Sequence, residues 1–90
     1  MSSSTVNTDV LEPRVRAVLA QHARLSGDAA SMDAQADLYQ AGMTSHASVN
    51  VMLALEGEFD VEFPDEMLNR SVFASIQAIC RAVASIGGKA

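Results

Sequence analysis

Apolar residues recur at three- and four-residue steps in three separate segments of this 90-residue chain. Such spacing places them along one side of an α-helix. Only Phe59 to Phe63 alternates with period two, and it is too short and too isolated to pair as a strand. The pattern therefore predicts an all-α fold.

The first two long helices are separated by a long loop. The first is expected to begin within residues 9 to 13 and to end at Gly27–Asp28, because Gly and Asp disfavour further helix. The loop covers residues 26 to 44, and its scattered apolar residues indicate that it is pinned to the core. The second helix is expected at about residues 45 to 58, with Thr44 or Ser45 as its capping residue.

Two further helices are predicted in the last third of the chain. Pro64, followed by two acidic residues, suits the first turn of a short helix of about residues 64 to 70. A strongly periodic segment from Val72 onward predicts the last long helix, which Gly87–Gly88 stops. The total is three long helices and one short helix.

The chain length allows one domain. Apolar residues make up 49% of the sequence and aromatic residues only 4%, so aliphatic side chains must fill the core. Residues 1 to 8 are polar and lack periodicity, which predicts a disordered tail. The folded domain is expected to span residues 9 to 87.

The acidic residues are concentrated in the middle of the chain. The formal net charge is −5, and residues 28 to 66 hold nine Asp or Glu side chains with no Lys or Arg. Such a face repels the phosphates of nucleic acids and anionic lipids but attracts proteins with basic patches. We therefore expect protein partners, no nucleic-acid partner and no membrane partner.

Cysteine usage and the first residues indicate a cellular compartment. Cys80 is the only cysteine, so an internal disulfide is excluded, and its place on an apolar stripe predicts a small buried hydrophobe. Residues 1 to 8 lack the basic start and apolar run of a signal peptide. No segment approaches the ~18 apolar residues of a membrane span. We predict a cytoplasmic protein.

The residues that usually carry catalysis or metal binding are poorly arranged here. His22, His46 and Cys80 do not match the close-set pairs of a zinc site, and no glycine-rich phosphate loop with Lys is present. Ser45 lacks the flanking glycines of a nucleophile elbow. His46 cannot orient on it, because neighbouring side chains on a helix diverge by about 100°. We therefore expect no metal site and no enzyme activity.

Ser45 combines two properties that suit a phosphodiester. It follows a loop that contains Gly42, and it begins a helix, where backbone N–H groups are unpaired and the helix dipole is positive. A phosphate esterified to a serine there would be stabilised by the backbone. The alternative is that Ser45 or Thr44 only caps the helix.

The segment from Gly42 to Glu66, GMTSHASVNVMLALEGEFDVEFPDE, resembles the centre of acyl carrier proteins. In that family a Gly-x-Asp-Ser-Leu segment precedes a helix that ends in Leu-Glu-x-x-Phe-Asp, and an Ile-Pro-Asp turn follows. The resemblance is strong over about residues 38 to 68. It implies a four-helix bundle of the acyl carrier type, formed by residues 9 to 87, in which Ser45 carries 4′-phosphopantetheine.

The resemblance also implies partners. A Mg²⁺-dependent phosphopantetheinyl transferase adds the arm from coenzyme A, and the arm's thiol then holds a cargo as a thioester. A cargo-loading ligase or synthase is expected to dock on the second helix and the turn after it, and the carrier is expected to be a monomer. The docking residues implied are Glu56, Glu58, Asp60 and Glu62, with Asp65 and Glu66 as further candidates.

Departures from the family pattern bear on the cargo. Thr44 and His46 stand where acyl carrier proteins usually have Asp and Leu, and Ser48 and Asn50 stand where carriers of fatty acid synthesis commonly have acids. These departures favour a specialised carrier loaded with a small amino acid by a synthetase-like ligase. The alternatives are a carrier of fatty acid or polyketide type and a cofactor-free acidic helical module that binds a basic protein. His46 is either a contact of the arm or a partner, or a solvated surface group.

Overall fold

The computed structural model describes residues 8 to 23, residue 25 and residues 28 to 86, with side chains from residue 11 onward. These residues form three α-helices and two short 3-10 helices, and they contain no strand. Helix α1 spans Thr8–His22, α2 spans Ser45–Phe59 and α3 spans Ile76–Ser85. The 3-10 helices are Asp65–Met67 and Arg70–Phe73. The prediction of an all-α fold is confirmed.

Helix α1 differs from the prediction at both ends. It begins at Thr8, so Pro13 lies inside it rather than in its first turn, and it ends at His22 instead of continuing to residue 27. Leu25 lies at helical spacing from the apolar residues of α1, which favours a longer helix, but it packs against the core from the loop that follows α1. Residues 1 to 7 of the predicted tail lie outside the described residues.

The second helix matches the prediction closely. Thr44 is its N-cap, with an extended backbone, and the Thr44 side chain accepts a hydrogen bond from the backbone N–H of Ala47. Asp60 ends the helix in the left-handed conformation with φ 55°, and its N–H donates to the Glu56 carbonyl. Asp tolerates this conformation better than most residues, which explains a helix end without glycine.

The predicted short helix of about residues 64 to 70 is not one continuous helix, because two 3-10 helices, Asp65–Met67 and Arg70–Phe73, occupy this region. The described residues thus form three α-helices, and the predicted count of four helices is not confirmed. Leu68 and Asn69 separate the two 3-10 helices, and the Asn69 side chain caps the second one by accepting the Val72 N–H. The last helix begins at Ile76 rather than Val72, because the Ser75 side chain caps it by accepting the Ala78 N–H. Gly87–Gly88, the predicted stop, lies outside the described residues.

The core lies between α1 and the two other α-helices, since α1 packs against both α2 and α3. Most of its buried side chains are aliphatic, as the composition predicts, and three phenylalanines are buried with them. Among the largest fully buried side chains are Leu11, Val15, Leu19, Leu38, Val51, Leu55, Ile76, Ile79 and Val83. None of the described helices combines the length and the apolar character needed to cross a bilayer.

The loop between α1 and α2 is tied to the rest of the fold by backbone and side-chain hydrogen bonds. The Leu38 N–H donates to the Ala74 carbonyl at 2.7 Å, and the Gln77 N–H donates to the Ala34 carbonyl at 2.9 Å. Arg16 of α1 donates from Nη1 to the carbonyls of Ala29 and Met32. The loop therefore presents the start of α2 in a defined position.

Candidate functional site

The turn before α2 places Ser45 at the surface. Gly42 has φ 116°, a conformation that side chains rarely adopt, so glycine is required there. The next residue, Met43, is buried, and its N–H donates to the Leu38 carbonyl at 3.0 Å. Anchoring Met43 in the core directs the following two residues outward, and both Thr44 and Ser45 are exposed.

The cap of α2 belongs to Thr44, which leaves the Ser45 hydroxyl outside the cap. The Thr44 Oγ1 accepts the Ala47 N–H at 3.0 Å, and the Thr44 carbonyl accepts the Ser48 N–H at 2.9 Å. The amides of the first two helical residues, Ser45 and His46, receive no such partner among the described residues. A free hydroxyl thus lies beside open N–H groups at the positive end of a helix, which is an environment that stabilises a phosphate group.

An open groove of about 550 Å³ adjoins this helix start. Its mostly apolar lining comes from α2, from the 3-10 region and from the loop. Lining residues include Tyr39, Ser45, Val49, Met52, Arg70 and Phe73. The groove therefore brings Ser45 together with Arg70, which lies 25 positions later in the chain.

Arg70 is a site residue that sequence analysis missed. Its guanidinium carbon lies 3.9 Å from the centre of the Tyr39 ring, and it forms no ion pair with any carboxylate in the described part of the chain. Asn69 caps the short helix that Arg70 begins, which fixes the backbone there. The only signal in the sequence is that Arg70 is the first basic residue after the acidic stretch.

Two of the predicted docking carboxylates have partners within the protein. The Glu56 Oε2 accepts the Phe63 N–H at 2.9 Å, which ties the turn after α2 to the helix. The Glu58 Oε2 pairs with Arg14 Nε at 2.9 Å, and Arg14 also donates to the Glu58 carbonyl and lies over the Phe59 ring. These carboxylates therefore stabilise the end of α2 as well as contributing charge.

The remaining acidic candidates lie on the surface of the turn that follows α2. Asp60, Glu62, Asp65 and Glu66 are all exposed. They lie on both sides of Phe63, whose buried ring packs edge-to-face on Phe73 with centroids 5.4 Å apart. That contact holds the acidic turn against the core.

The other candidate residues, Cys80, His22 and His46, do not line the groove. Cys80 is buried in α3, and desolvation by burial raises the pKa of its thiol to about 11, with the nearby Glu12 charge adding to the shift and Arg16 opposing it. His22 is half-buried at the end of α1, and His46 is exposed in the first turn of α2. In residues 8 to 86, as far as they are described, no group of three potential ligands is placed to hold a metal ion.

Comparison with known protein families identifies the family of this chain. The sequence matches the family described as "Phosphopantetheine attachment site" over residues 13–83, from α1 to α3. The chain belongs to this family. It is a phosphopantetheine carrier, in which the covalently attached cofactor supplies the reactive thiol and the protein supplies position and a docking surface.

Relatives of the carrier are named for aminoacyl cargo. It is 49% identical over 65 residues to the "Aminoacyl carrier protein" of Agrobacterium fabrum, which covers 72% of this chain and 78% of the relative. It is 36% identical over 80 residues to "Aminoacyl carrier protein 1" of Bradyrhizobium diazoefficiens, covering 86% of this chain and 84% of the relative.

The similar chains in solved structures are also carrier proteins. One similar chain is in the crystal structure of an engineered Bradyrhizobium japonicum glycine:[carrier protein] ligase complexed with a carrier protein from Agrobacterium tumefaciens and ATP. The TM-score is 0.81 at 45% identity, with 84% of this chain and 99% of that chain covered. Another is in the structure of the Bradyrhizobium ligase complexed with a glycylated carrier protein, with TM-score 0.71, 32% identity and coverage of 83% and 100%.

Proposed function

We propose that Ser45 is the residue that carries 4′-phosphopantetheine. The observation that carries this proposal is the exposed hydroxyl at the first position of α2, outside the cap and next to the open N–H groups of the first turn. A phosphopantetheinyl transferase with coenzyme A would transfer the phosphopantetheinyl group to this oxygen. The hydroxyl proton leaves, and adenosine 3′,5′-bisphosphate departs.

Neighbouring hydroxyls are less suitable attachment points. The Thr44 oxygen is engaged with the Ala47 N–H, and the Ser48 Oγ donates to the Ser45 carbonyl at 2.7 Å. Modifying Thr44 would disturb the helix cap, and modifying Ser48 would break a local hydrogen bond. Ser45 can be modified without either loss.

We propose further that the cargo is a small amino acid held as a thioester on the arm. Support comes from the relatives named aminoacyl carrier proteins and from the similar chain seen with a glycine:[carrier protein] ligase in glycylated form. The partner for loading would then be an ATP-using ligase of that kind. A carrier of fatty acid or polyketide type is the alternative that the loading experiment distinguishes.

Docking would involve the acidic end of α2 and the turn after it. The carboxylates proposed from sequence are Glu56, Glu58, Asp60 and Glu62. Because Glu56 and Glu58 also hold the fold together, the exposed Asp60 and Glu62 are the better targets for separating docking from stability. A basic ligase surface would gain association rate from these charges while the complex stays transient.

The loading experiment uses the phosphopantetheinylated protein with the glycine:[carrier protein] ligase, ATP and one amino acid at a time. We expect intact-mass analysis to show glycine or another small amino acid as a thioester that hydroxylamine releases. Loading only with long fatty acyl groups by an acyl ligase would overturn the aminoacyl proposal.

Matched variants test docking separately. Asp60→Asn and Glu62→Gln each remove one exposed charge from the carrier. We therefore expect the ligase to show a raised KM for the carrier protein, with little change in kcat. Asp33→Asn, which removes an equal charge from the loop outside this turn, is the control. Equal effects of all three variants would indicate general electrostatic attraction rather than docking at the turn.

A further inference from the structure

The groove beside Ser45 is lined by a cation, Arg70, that has no anionic partner in the described part of the chain. Arg14 and Arg16 are each paired with a glutamate, at 2.9 and 2.7 Å. Arg70 has no carboxylate partner among the described residues, and its recorded contact is the face of Tyr39 at 3.9 Å. A guanidinium stacked on a ring has its orientation restricted while its N–H donors stay available at the edges.

Hydrogen bonds of the preceding residue, Asn69, fix the backbone at Arg70. Asn69 Oδ1 accepts the Val72 N–H at 3.2 Å and the Ser71 hydroxyl at 2.6 Å, and Asn69 Nδ2 donates to the Glu66 carbonyl. These bonds hold the backbone at the start of the short helix. Together with the Tyr39 ring, on which the guanidinium lies, they place Arg70 in the wall of the groove that Ser45 also lines.

Attachment of phosphopantetheine would add an anion to this groove. The phosphodiester would join a chain with a net charge of −5, within residues 28 to 66, which hold nine acidic side chains and no Lys or Arg. The open amides at the start of α2 stabilise part of that charge. A nearby guanidinium, whose planar donors match phosphate oxygens, is the natural complement.

Resting on the proposed attachment at Ser45, we infer that Arg70, held against Tyr39, binds the phosphodiester of the arm and keeps the arm's root in the groove between α2 and the 3-10 helices. Arg70 then acts as a positioning residue for the cofactor. The contact is partly exposed, so it is screened by salt and leaves the arm free to swing toward a partner enzyme.

Phosphorus NMR on the phosphopantetheinylated protein tests this inference without any partner enzyme. Wild type is compared with Arg70→Gln and with Arg81→Gln, which removes an equal charge from an exposed position on α3 outside the groove. We expect wild type and R81Q to share one phosphodiester chemical shift that moves with added NaCl toward the value of R70Q. The R70Q signal should be insensitive to salt.

A second measurement needs no variant. In the wild-type protein, the Arg70 Nε–H signal is expected to shift when phosphopantetheine is attached, whereas the Arg81 signal stays in place. Coincident phosphorus shifts and salt responses in wild type and R70Q, with an unmoved Arg70 signal, would overturn the inference. If phosphopantetheine is attached at Ser45 but neither the Arg70 signal nor the R70Q spectrum differs as expected, only the inference about Arg70 fails and the proposed function stands. If the protein gains no phosphopantetheine mass at all, both the inference and the proposed function fail.

Discussion

The Thr44 side chain caps α2 by accepting the Ala47 N–H at 3.0 Å, so the neighbouring Ser45 hydroxyl has no role in the cap. Thr44 and Ser45, two adjacent residues that each carry a hydroxyl group, therefore have different roles. One stabilises the helix end, and the other is available for modification. The arrangement separates the stability of the helix from the chemistry at its first residue.

Replacing Thr44 tests the capping half of this arrangement. We expect Thr44→Ala to lower the free energy of unfolding by about 1 kcal/mol, because the Ala47 N–H loses its acceptor. Urea unfolding followed by circular dichroism measures the change. Thr44→Ser keeps the acceptor and is the control, and a Ser variant as unstable as the Ala variant would argue against the cap.

Two glycines should respond to alanine in opposite directions. Gly57 lies within α2, and an added Cβ would meet nothing within 4 Å, so Gly57→Ala should stabilise by about 0.5 to 1 kcal/mol. Gly42 has φ 116°, so Gly42→Ala should destabilise by about 1 to 3 kcal/mol. Urea unfolding of both variants decides the matter, and a shift of the same sign in both would contradict the backbone argument.

The two arginines of α1 should differ in importance. Arg16 donates to two loop carbonyls as well as to Glu12, and its side chain is only 16% exposed. The side chains of Arg14 and Glu58, which pair with each other, are 39% and 41% exposed. Arg16→Lys is expected to cost about 1 to 3 kcal/mol, since the loop carbonyls lose donors. Arg14→Lys should cost less than about 1 kcal/mol.

Hydrogen exchange separates a local from a global effect of the Arg16 change. Faster exchange at the amides of residues 29 to 32 is expected in Arg16→Lys but not in Arg14→Lys. Equal loss of stability in the two variants, with the loop unaffected, would show that the Ala29 and Met32 contacts matter little.

Cys80 should be unreactive in the folded protein. Burial raises the pKa of its thiol to about 11, so near pH 8 it is almost wholly protonated as well as inaccessible. Alkylation of the phosphopantetheinylated protein should therefore add one label, on the arm, and a second only after unfolding in urea. Rapid double labelling of the folded protein would contradict the buried position.

The same pKa has a consequence for stability. The native thiol holds its proton to a higher pH than the ordinary value of 9.0, so stability should fall as pH rises from 9.0 to about 11. Cys80→Ala lacks this contribution. The urea midpoint of wild type should therefore fall relative to that of the variant as pH rises across that range, and parallel curves would contradict the shift.

The sequence predicts those features of the fold that depend on residues close together in the chain. Apolar spacing places α2 to within a residue, and it identifies Ser45 as the helix start. It fails where a short polar residue interrupts an apolar run: Ser75 caps α3, so Val72 belongs to a separate short helix. Ser75 is a residue type that favours helix caps, but the apolar spacing continues across it, so spacing alone does not reveal the division.

Contacts between distant residues are the part of the site that the sequence does not reveal. Glu58 looks like a docking charge until Arg14, 44 residues earlier, is found against it. Arg70 has no local pattern that links it to Ser45, because packing of the 3-10 region beside α2 creates their common groove. Charge counting identifies an acidic surface but not which carboxylates already have partners.

The most direct test of the central claim is the intact mass of the protein after incubation with a phosphopantetheinyl transferase, Mg²⁺ and coenzyme A. Wild type and Ser48→Ala should each gain the mass of one phosphopantetheine, and Ser45→Ala should gain none. Persistence of the adduct in Ser45→Ala, or its absence from wild type with several transferases, would contradict the account.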